Sequence, residues 1–343
     1  MKVLFISLGC DKNLVDSEHM SGILAKAGYE FTDDEHKADV IIINSCCFIH
    51  DAKEESINTI FEMARYKEEG KCKALVLAGC LAQRYYEEIK EEIPEIDICI
   101  GTTAIDSIAK ALNEFFTKEH NIQIINDVDL LSGINAPRNL STMGSYAYLK
   151  IAEGCDKHCT YCIIPKIRGN YRSVEMEVLL KEAKELADRG VKELILVAQE
   201  TTMYGKDIYG EKSLHILLKE LAKIEEIYWI RILYCYPEEI YDELIDTIAS
   251  EKKICHYLDI PIQHASDDIL KRMGRRTTNR ELRDIIAKLR ERIPDIVLRT
   301  TLITGFPGET EEDHEELMEF VDQMEFDRLG VFTYSPEEDT PAA

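Results

Sequence analysis

Short β-rich apolar runs alternate with amphipathic segments along nearly the whole chain, in two series, and this alternation restricts the fold more than any other feature. In the first 120 residues the order is "KVLFISLGC", "LVDSEHMSGILAKAG", "ADVIIINSCC", "KEESINTIFEMARYKEEG", "KALVLAGC" and "IDICIGT". Strands alternating with helices of this length imply right-handed crossovers and a parallel sheet covered on both faces. The expectation is a small open α/β domain over residues 1–120. Periodicity then weakens, and "SGINAPRNLSTMG" carries Gly, Pro, Asn and Ser at loop density, so a linker is placed at 121–144. From 145 to 343 a second series runs through "YAYLKIAEGC", "ELILVAQET", "WIRILYCYP", "YLDIPIQH", "VLRTTLITGFPGE" and "RLGVFTYSP". Six βα units fit a TIM-like partial barrel, whose active site would sit at the carboxyl ends of its strands.

Composition narrows the compartment and the chemistry. At 343 residues the chain exceeds what one core usually organises, which agrees with two domains. The first residues, "MKVLFISLGCDKN", lack a basic region ahead of a long apolar core, and no later stretch reaches membrane-spanning length, so a cytoplasmic enzyme without a membrane partner is expected. In that reducing compartment eleven cysteines are not expected to form disulfides, and their spacing reads as metal or redox chemistry. The net charge of -24 repels phosphate backbones and attracts a basic protein.

Two cysteine sets stand out. Cys10, Cys46 and Cys80 each end a strand of the first series, and parallel strands bring such residues to one carboxyl edge, where open α/β sheets place their ligands. Three buried cysteines at strand ends are the bland alternative. By spacing alone Cys46 and Cys47 are equivalent, since alternation points them to opposite faces. The second set is "EGCDKHCTYC", with Cys155, Cys159 and Cys162 directly after the first barrel strand. A zinc ribbon needs a second ligand pair, and a ferredoxin-type carrier supplies a fourth cysteine; neither is found nearby. His158 faces a geometric conflict between neighbouring thiolates and is read as solvent-facing or hydrogen-bonding. A 4Fe-4S cluster on three thiolates keeps one iron open.

The CxxxCxxC spacing at a barrel mouth resembles the radical S-adenosylmethionine enzymes, in which the cofactor's amine and carboxylate chelate the open iron. With the preceding three-cysteine domain, the resemblance narrows to the methylthiotransferases, and "SLGCDKNLVDSE" and "PIQHASDDILKRMGRRTT" look like the RimO-type branch. The resemblance implies two 4Fe-4S clusters, a radical-generating one on Cys155, Cys159 and Cys162 and an auxiliary one on Cys10, Cys46 and Cys80, so that Cys47 packs against a helix. It implies addition of a methylthio group to the β-carbon of an aspartate in the basic small-ribosomal-subunit protein S twelve, with flavodoxin or ferredoxin as electron donor. It also implies a C-terminal TRAM domain, which this chain, ending at "YSPEEDTPAA", does not include. A tRNA methylthiotransferase of the MiaB type and a non-enzymatic iron–sulfur electron carrier are the rival readings.

Further cofactor contacts are read around the barrel rim. Tyr161 lies in the cysteine loop, near the adenine by resemblance or as a rim plug by its residue type. Gly305 and Gly308 of "TGFPGE" would let backbone approach adenosine, or simply form a strand-to-helix turn. Gln199 and Glu200 end the second barrel strand, Gln263 and His264 end the fourth, and Arg231 lies in the third; polar residues at such ends read as site-facing. The basic "KRMGRRTT" stretch, with Lys271, Arg272, Arg275 and Arg276, is left unassigned, a solvated helix end being the common fate of such runs. Cys72, Cys99, Cys235 and Cys255 read as buried small hydrophobes.

Overall fold

A computed structural model describes residues 1–118, 121–142 and 144–343. The edge drawn at residues 119–120, and position 143 of the linker, lie outside the described residues. The chain divides into two compact units, residues 1–141 with 163–170, and residues 142–162 with 171–343. Among the described residues no helix is long and apolar enough to cross a membrane.

Unit 1 is a six-stranded parallel sheet. Its elements are β1 (Lys2–Ser7), α1 (Asp11–Lys26), β2 (Glu30–Phe31), β3 (Val40–Ser45), α2 (His50–Ala64), α3 (Tyr66–Glu69), β4 (Ala74–Gly79), α4 (Cys80–Glu92), β5 (Ile98–Ile100), α5 (Ile108–Lys118), β6 (Ile122–Ile124) and α6 (Ile164–Arg168). The strand order is β2-β1-β3-β4-β5-β6, so the chain reverses its direction of travel between β1 and β3. The helices therefore divide over two faces. Met20 and Leu24 of α1 pack with Ala111 and Leu112 of α5 on one, and Ile60 and Met63 of α2 with Leu81, Ala82 and Ile89 of α4 on the other. Every residue of β3 and β4 is consequently buried, which is why "VIIINS" and "ALVLAG" read as continuous runs rather than alternating ones. β2 and β6, with two and three residues, are too short to generate a periodic signal, and β6 falls in the segment expected to be linker.

Unit 2 contains a second six-stranded parallel sheet and a two-stranded ribbon. Its elements are β7 (Tyr146–Lys150), β8 (Ala152–Glu153), β9 (Arg172–Ser173), α7 (Met176–Asp188), β10 (Glu193–Val197), α8 (Lys206–Tyr209), α9 (Leu214–Ala222), β11 (Trp229–Ile232), α10 (Asp242–Ser250), β12 (Ile254–Asp259), α11 (Asp267–Arg272), α12 (Asn279–Arg292), β13 (Val297–Thr304), α13 (Glu311–Met324) and β14 (Arg328–Thr333). The order β7-β10-β11-β12-β13-β14 is monotonic, so successive right-handed crossovers lay the helices on one face and the sheet forms an open six-unit barrel segment. Alternation is the result: Leu194 and Leu196 of β10 and Ile230 and Ile232 of β11 are buried, while Ile195 and Arg231 on the other face are only partly so. Both sheets thus present a carboxyl edge, and the six singled-out cysteines all come after strands, directly or by a short loop.

Candidate functional site

In unit 1, Gly9 and Gly79 have φ of +83° and +89°, a region open mainly to glycine, and each is followed by a cysteine. A Cβ on Gly9 would sit 2.7 Å from the Cβ of Cys46, and one on Gly79 would sit 2.3 Å from Asn44 Oδ1. The turn carrying Cys10 is therefore packed directly on Cys46. The backbone of Cys46 is pinned by Ser56 of α2, whose Oγ accepts from Cys46 N at 3.1 Å and donates to Cys46 O at 2.8 Å. Asn13, fully buried in α1, ties the edge together: its Nδ2 donates to Leu8 O at 3.1 Å and to Ser45 O at 3.0 Å, and its Oδ1 lies 3.8 Å from Cys80 Sγ. Cys10 and Cys46 emerge on either side of the reversal between β1 and β3, the position at which open α/β sheets bind ligands.

The electrostatics register the same convergence. Burial pushes the Cys80 thiol up to about 12; the Arg168 guanidinium opposes that shift, and Cys46 and Cys10 add to it. The Cys46 thiol is raised chiefly by burial, and Cys10 contributes. Burial thus favours the neutral thiol at Cys46 and Cys80, while Cys10 is exposed at the edge. Cys47, in contrast, is fully buried among Ile60, Met63 and Leu81.

In unit 2 the loop after β8 holds the second triplet. Gly154 (φ +81°) precedes Cys155, and His158 adopts φ +52° within the loop. Backbone bonds hold its middle: Thr160 N donates to Met273 O at 2.9 Å, Ala342 N to Thr160 O at 2.8 Å, and Cys162 N to Cys159 O at 3.0 Å. Cys155 and Cys159 are buried and Cys162 is partly exposed. Burial pushes the Cys155 thiol up to about 12. The Sγ of Cys159 lies 3.5 Å from Tyr236 Oη. Among the described residues no three His, Cys, Asp or Glu side chains are arranged to chelate a single ion. An all-thiol donor set suits a soft multi-iron cluster, whose bridging sulfides span wider ligand spacings, better than a hard cation.

A cavity of about 340 Å³ adjoins Cys155 and is lined also by Lys157, Tyr171, Glu200, Met203 and Arg276. Glu200 is 1% exposed; its Oε1 accepts from Thr202 N at 2.8 Å and from Thr202 Oγ1, while its Oε2 has no partner. Burial raises its carboxyl to about 7. Lys157 is paired with Glu239 and lies 5.1 Å over the Tyr236 ring.

Of the remaining rim residues named from sequence, Glu200 alone lines this cavity. Gln199 Nε2 donates to Glu153 Oε1 at 2.6 Å and leaves its Oε1 buried without a partner. Gln263, at φ +71°, likewise has a buried unpartnered Oε1. Arg231 is engaged in the sheet itself, with Nε 2.7 Å from Glu193 Oε1 and its guanidinium over Tyr257. Tyr161 packs with Phe306 in a small apolar cluster that includes Met273. Gly305 and Gly308 have φ of +73° and +90°, which favours glycine at both; a Cβ on Gly305 would face open space, and one on Gly308 would meet the movable tip of Arg272, Nη1, at 2.4 Å. Buried His264 accepts from Ser266 N through Nδ1 at 3.0 Å and lies 3.5 Å from Glu309, which in turn accepts from Phe306 N at 2.9 Å and fixes the "GFPGE" turn.

The basic stretch departs from a solvated helix end at Arg275. That side chain is buried, donates to Pro261 O at 3.0 Å and lies 4.2 Å over the Tyr236 ring. Sequence reasoning passed over Asn13 and Arg168 and left Arg275 unassigned, because a polar residue inside a helical run or basic tract carries no periodic sign of its burial.

Residues 2–101 match the family described as Uncharacterized protein family UPF0004, and residues 149–321 match the Radical SAM superfamily. A protein of Lachnoclostridium phytofermentans named Ribosomal protein uS12 methylthiotransferase RimO is 66% identical, across 100% of this chain and 78% of its own length. A protein of the same name from Acetivibrio thermocellus is 58% identical, across 99% of this chain and 76% of its own length. The solved structure of TsrM, a radical S-adenosylmethionine methyltransferase from Kitasatospora setae with cobalamin and a [4Fe-4S] cluster bound, superposes with a TM-score of 0.67 at 15% identity. It covers 98% of this chain and 76% of that one. The cobalamin-dependent radical enzyme OxsB aligns with a TM-score of 0.66 at 15% identity, over 93% of this chain and 51% of its own. At such identities the two structures speak to fold alone.

Proposed function

The chain belongs to the RimO family of ribosomal protein uS12 methylthiotransferases, radical S-adenosylmethionine transferases that use an iron–sulfur cluster, and on that premise we propose an assignment of its parts. Cys155, Cys159 and Cys162 hold one 4Fe-4S cluster whose open iron takes S-adenosylmethionine, and Cys10, Cys46 and Cys80 hold a second. Unit 1, residues 1–141 with 163–170, forms the methylthiotransferase domain, wider than the 1–120 read from sequence, and unit 2, residues 142–162 with 171–343, forms the radical barrel. The observation that carries this reading is where the thiols leave their strands: Cys10, Cys46 and Cys80 follow the carboxyl ends of β1, β3 and β4 in one parallel sheet, and the second triplet lies in the loop reached from β7 through β8. When bound, the groups supply a radical that removes hydrogen from the β-carbon of a uS12 aspartate and a sulfur that is inserted there, methylated by a second S-adenosylmethionine.

The chain's own residues bind, orient and exclude. Glu200, with a free buried oxygen on the cavity beside Cys155, offers an acceptor to the cofactor's amine or ribose. Gln199 and Gln263 supply further buried acceptors on the rim. Tyr161 and Phe306 keep the loop apolar and dry, and Arg275 beneath Tyr236 provides a fixed positive charge near Cys159. The net charge of -24 favours a basic ribosomal protein over tRNA as the partner. Acting on a ribosomal protein, the chain works in the cytoplasm, with a flavodoxin or ferredoxin type of one-electron donor.

The test is iron and sulfide per chain after anaerobic reconstitution, beside a variant with Cys155, Cys159 and Cys162 all changed to Ala. Roughly eight irons falling to about four supports two independent clusters. About four falling to none leaves Cys10, Cys46 and Cys80 as buried thiols and removes the sulfur donor.

A further inference from the structure

Arg168 is one of the largest fully buried side chains of the molecule, 2% exposed. It ends α6, whose neighbours Ile163 and Ile167 join the unit 1 core beside Cys80, Leu81 and Ala82. Thr102 Oγ1 donates to Ile167 O at 3.0 Å and fixes that turn. From this position Arg168 Nη1 donates to Asp16 Oδ2 at 2.9 Å, Nη2 donates to Asn13 Oδ1, and Nη2 also lies 3.5 Å from Cys80 Sγ. Asp16 is as buried as the guanidinium itself.

A buried Arg–Asp pair is a weak device for stability alone, because apolar residues of similar volume fill such a site without the desolvation penalty. Asp16 uses one arm of the guanidinium. The other arm is aimed at an Asn oxygen and a cysteine sulfur, and Asn13 is also the residue that ties down the ends of β1 and β3. A fork of fixed donors spanning a carboxylate and a thiol is a geometry that Lys cannot reproduce.

We propose that Arg168 is a positioning residue for the auxiliary cluster: it donates a charge-assisted hydrogen bond to the Cys80 sulfur and thereby raises that cluster's reduction potential. The proposal rests on the assignment of Cys10, Cys46 and Cys80 as cluster ligands. Hydrogen bonds to the sulfurs and buried charge are the levers by which a protein sets such potentials, and a donor favours the reduced, more negative state. Removing it shifts the potential downward.

The experiment uses the full chain with Cys155, Cys159 and Cys162 changed to Ala, so that remaining iron belongs to unit 1, reconstituted without oxygen. Iron per chain and the midpoint potential, followed by electron paramagnetic resonance, are compared with the same chain carrying R168Q or R168K. With about four irons bound in each, R168Q lowers the reduced-to-oxidised ratio at a fixed solution potential about tenfold, which is 59 mV for one electron. R168K keeps a charge for Asp16 but cannot also reach Cys80, and shifts in the same direction by less. Full iron with an unchanged potential in both variants overturns the role of Arg168. Should R168Q not fold, an unchanged potential in R168K alone overturns it. Absence of iron from the chain that retains Arg168 fails the auxiliary-cluster reading itself, and this inference with it.

Discussion

Replacing Glu200 by Gln removes a carboxyl whose burial raises it from the ordinary 4.5 to about 7, and the direction of that shift sets the sign of the effect on stability. In the unfolded chain the group ionises near 4.5; in the folded chain it stays protonated until about 7. Between those values the folded state binds more protons, so stability falls as pH rises through that window. A raised carboxyl contributes its full stability below 4.5 and has lost it above 7. The displacement of about 2.5 units corresponds to about 3 kcal/mol at about 1.4 kcal/mol per unit. Gln keeps an oxygen for Thr202 N and carries no charge, so the metal-free, reduced E200Q chain should gain about 3 kcal/mol on the parent between pH 4.5 and 7.5. Urea melts of both chains across that range measure the gain. Binding should move oppositely: with the acceptor's charge gone, cluster-loaded E200Q should bind S-adenosylmethionine about 10-fold or more weaker at pH 8, the weight of one charged hydrogen bond. A stability difference that is flat in pH, or equal affinity in parent and variant at pH 8, refutes the reasoning.

Three further outcomes separate neighbouring roles. Cys46→Ala should abolish the iron that survives removal of the barrel triplet, whereas Cys47→Ser, whose hydroxyl keeps the Arg84 side chain as a hydrogen-bond partner, should retain it, as iron per chain of the two variants checks. Glu18 accepts from Arg138 Nε at 2.7 Å and from Ser141 N at 2.7 Å, with Glu18 and Arg138 side chains only 1% and 4% exposed. Glu18→Gln strands that guanidinium, and a melt of the chain should register about 3–5 kcal/mol lost. Gly308→Ala meets both a φ of +90° and Arg272 Nη1, so it should cost about 1–2 kcal/mol, and a double variant with Arg272→Ala should recover only the steric part.

Much of the fold was legible because its signals are periodic. "VIIINS" and "ALVLAG" are central strands covered on both faces, and "ELILV" alternates because one face of the barrel segment is less covered. The six barrel strands were each readable from such runs. β2 and β6 escaped because an edge strand of two or three residues completes no period. The return of residues 163–170 to unit 1 escaped for another reason. α6 is five residues long, and "IIPKIRG" reads like any loop-to-helix turn until Ile163 and Ile167 are seen in a core built by residues eighty positions earlier.

The proposed site rests on cysteine spacing, and the structure shows what holds those cysteines where they sit. Cys10, Cys80 and Cys155 are each preceded by a glycine at φ between +81° and +89°. A strand ending in a left-handed glycine turns at once and leaves the next residue at the sheet's edge, so "GC" at the end of an apolar run is a usable signal. Cys46 has no such glycine before it, which is why "NSCC" could not be resolved by spacing. The glycine it depends on is Gly9, thirty-seven positions away, whose missing Cβ leaves the room that Cys46 fills. One turn thus sets Cys10 at the edge and admits Cys46 beside it, while Asn13, three residues further on, reaches towards Cys80 and Arg168. Spacing can name the thiols, but the side chains that gather them are scattered through helices whose periodicity gives them no mark.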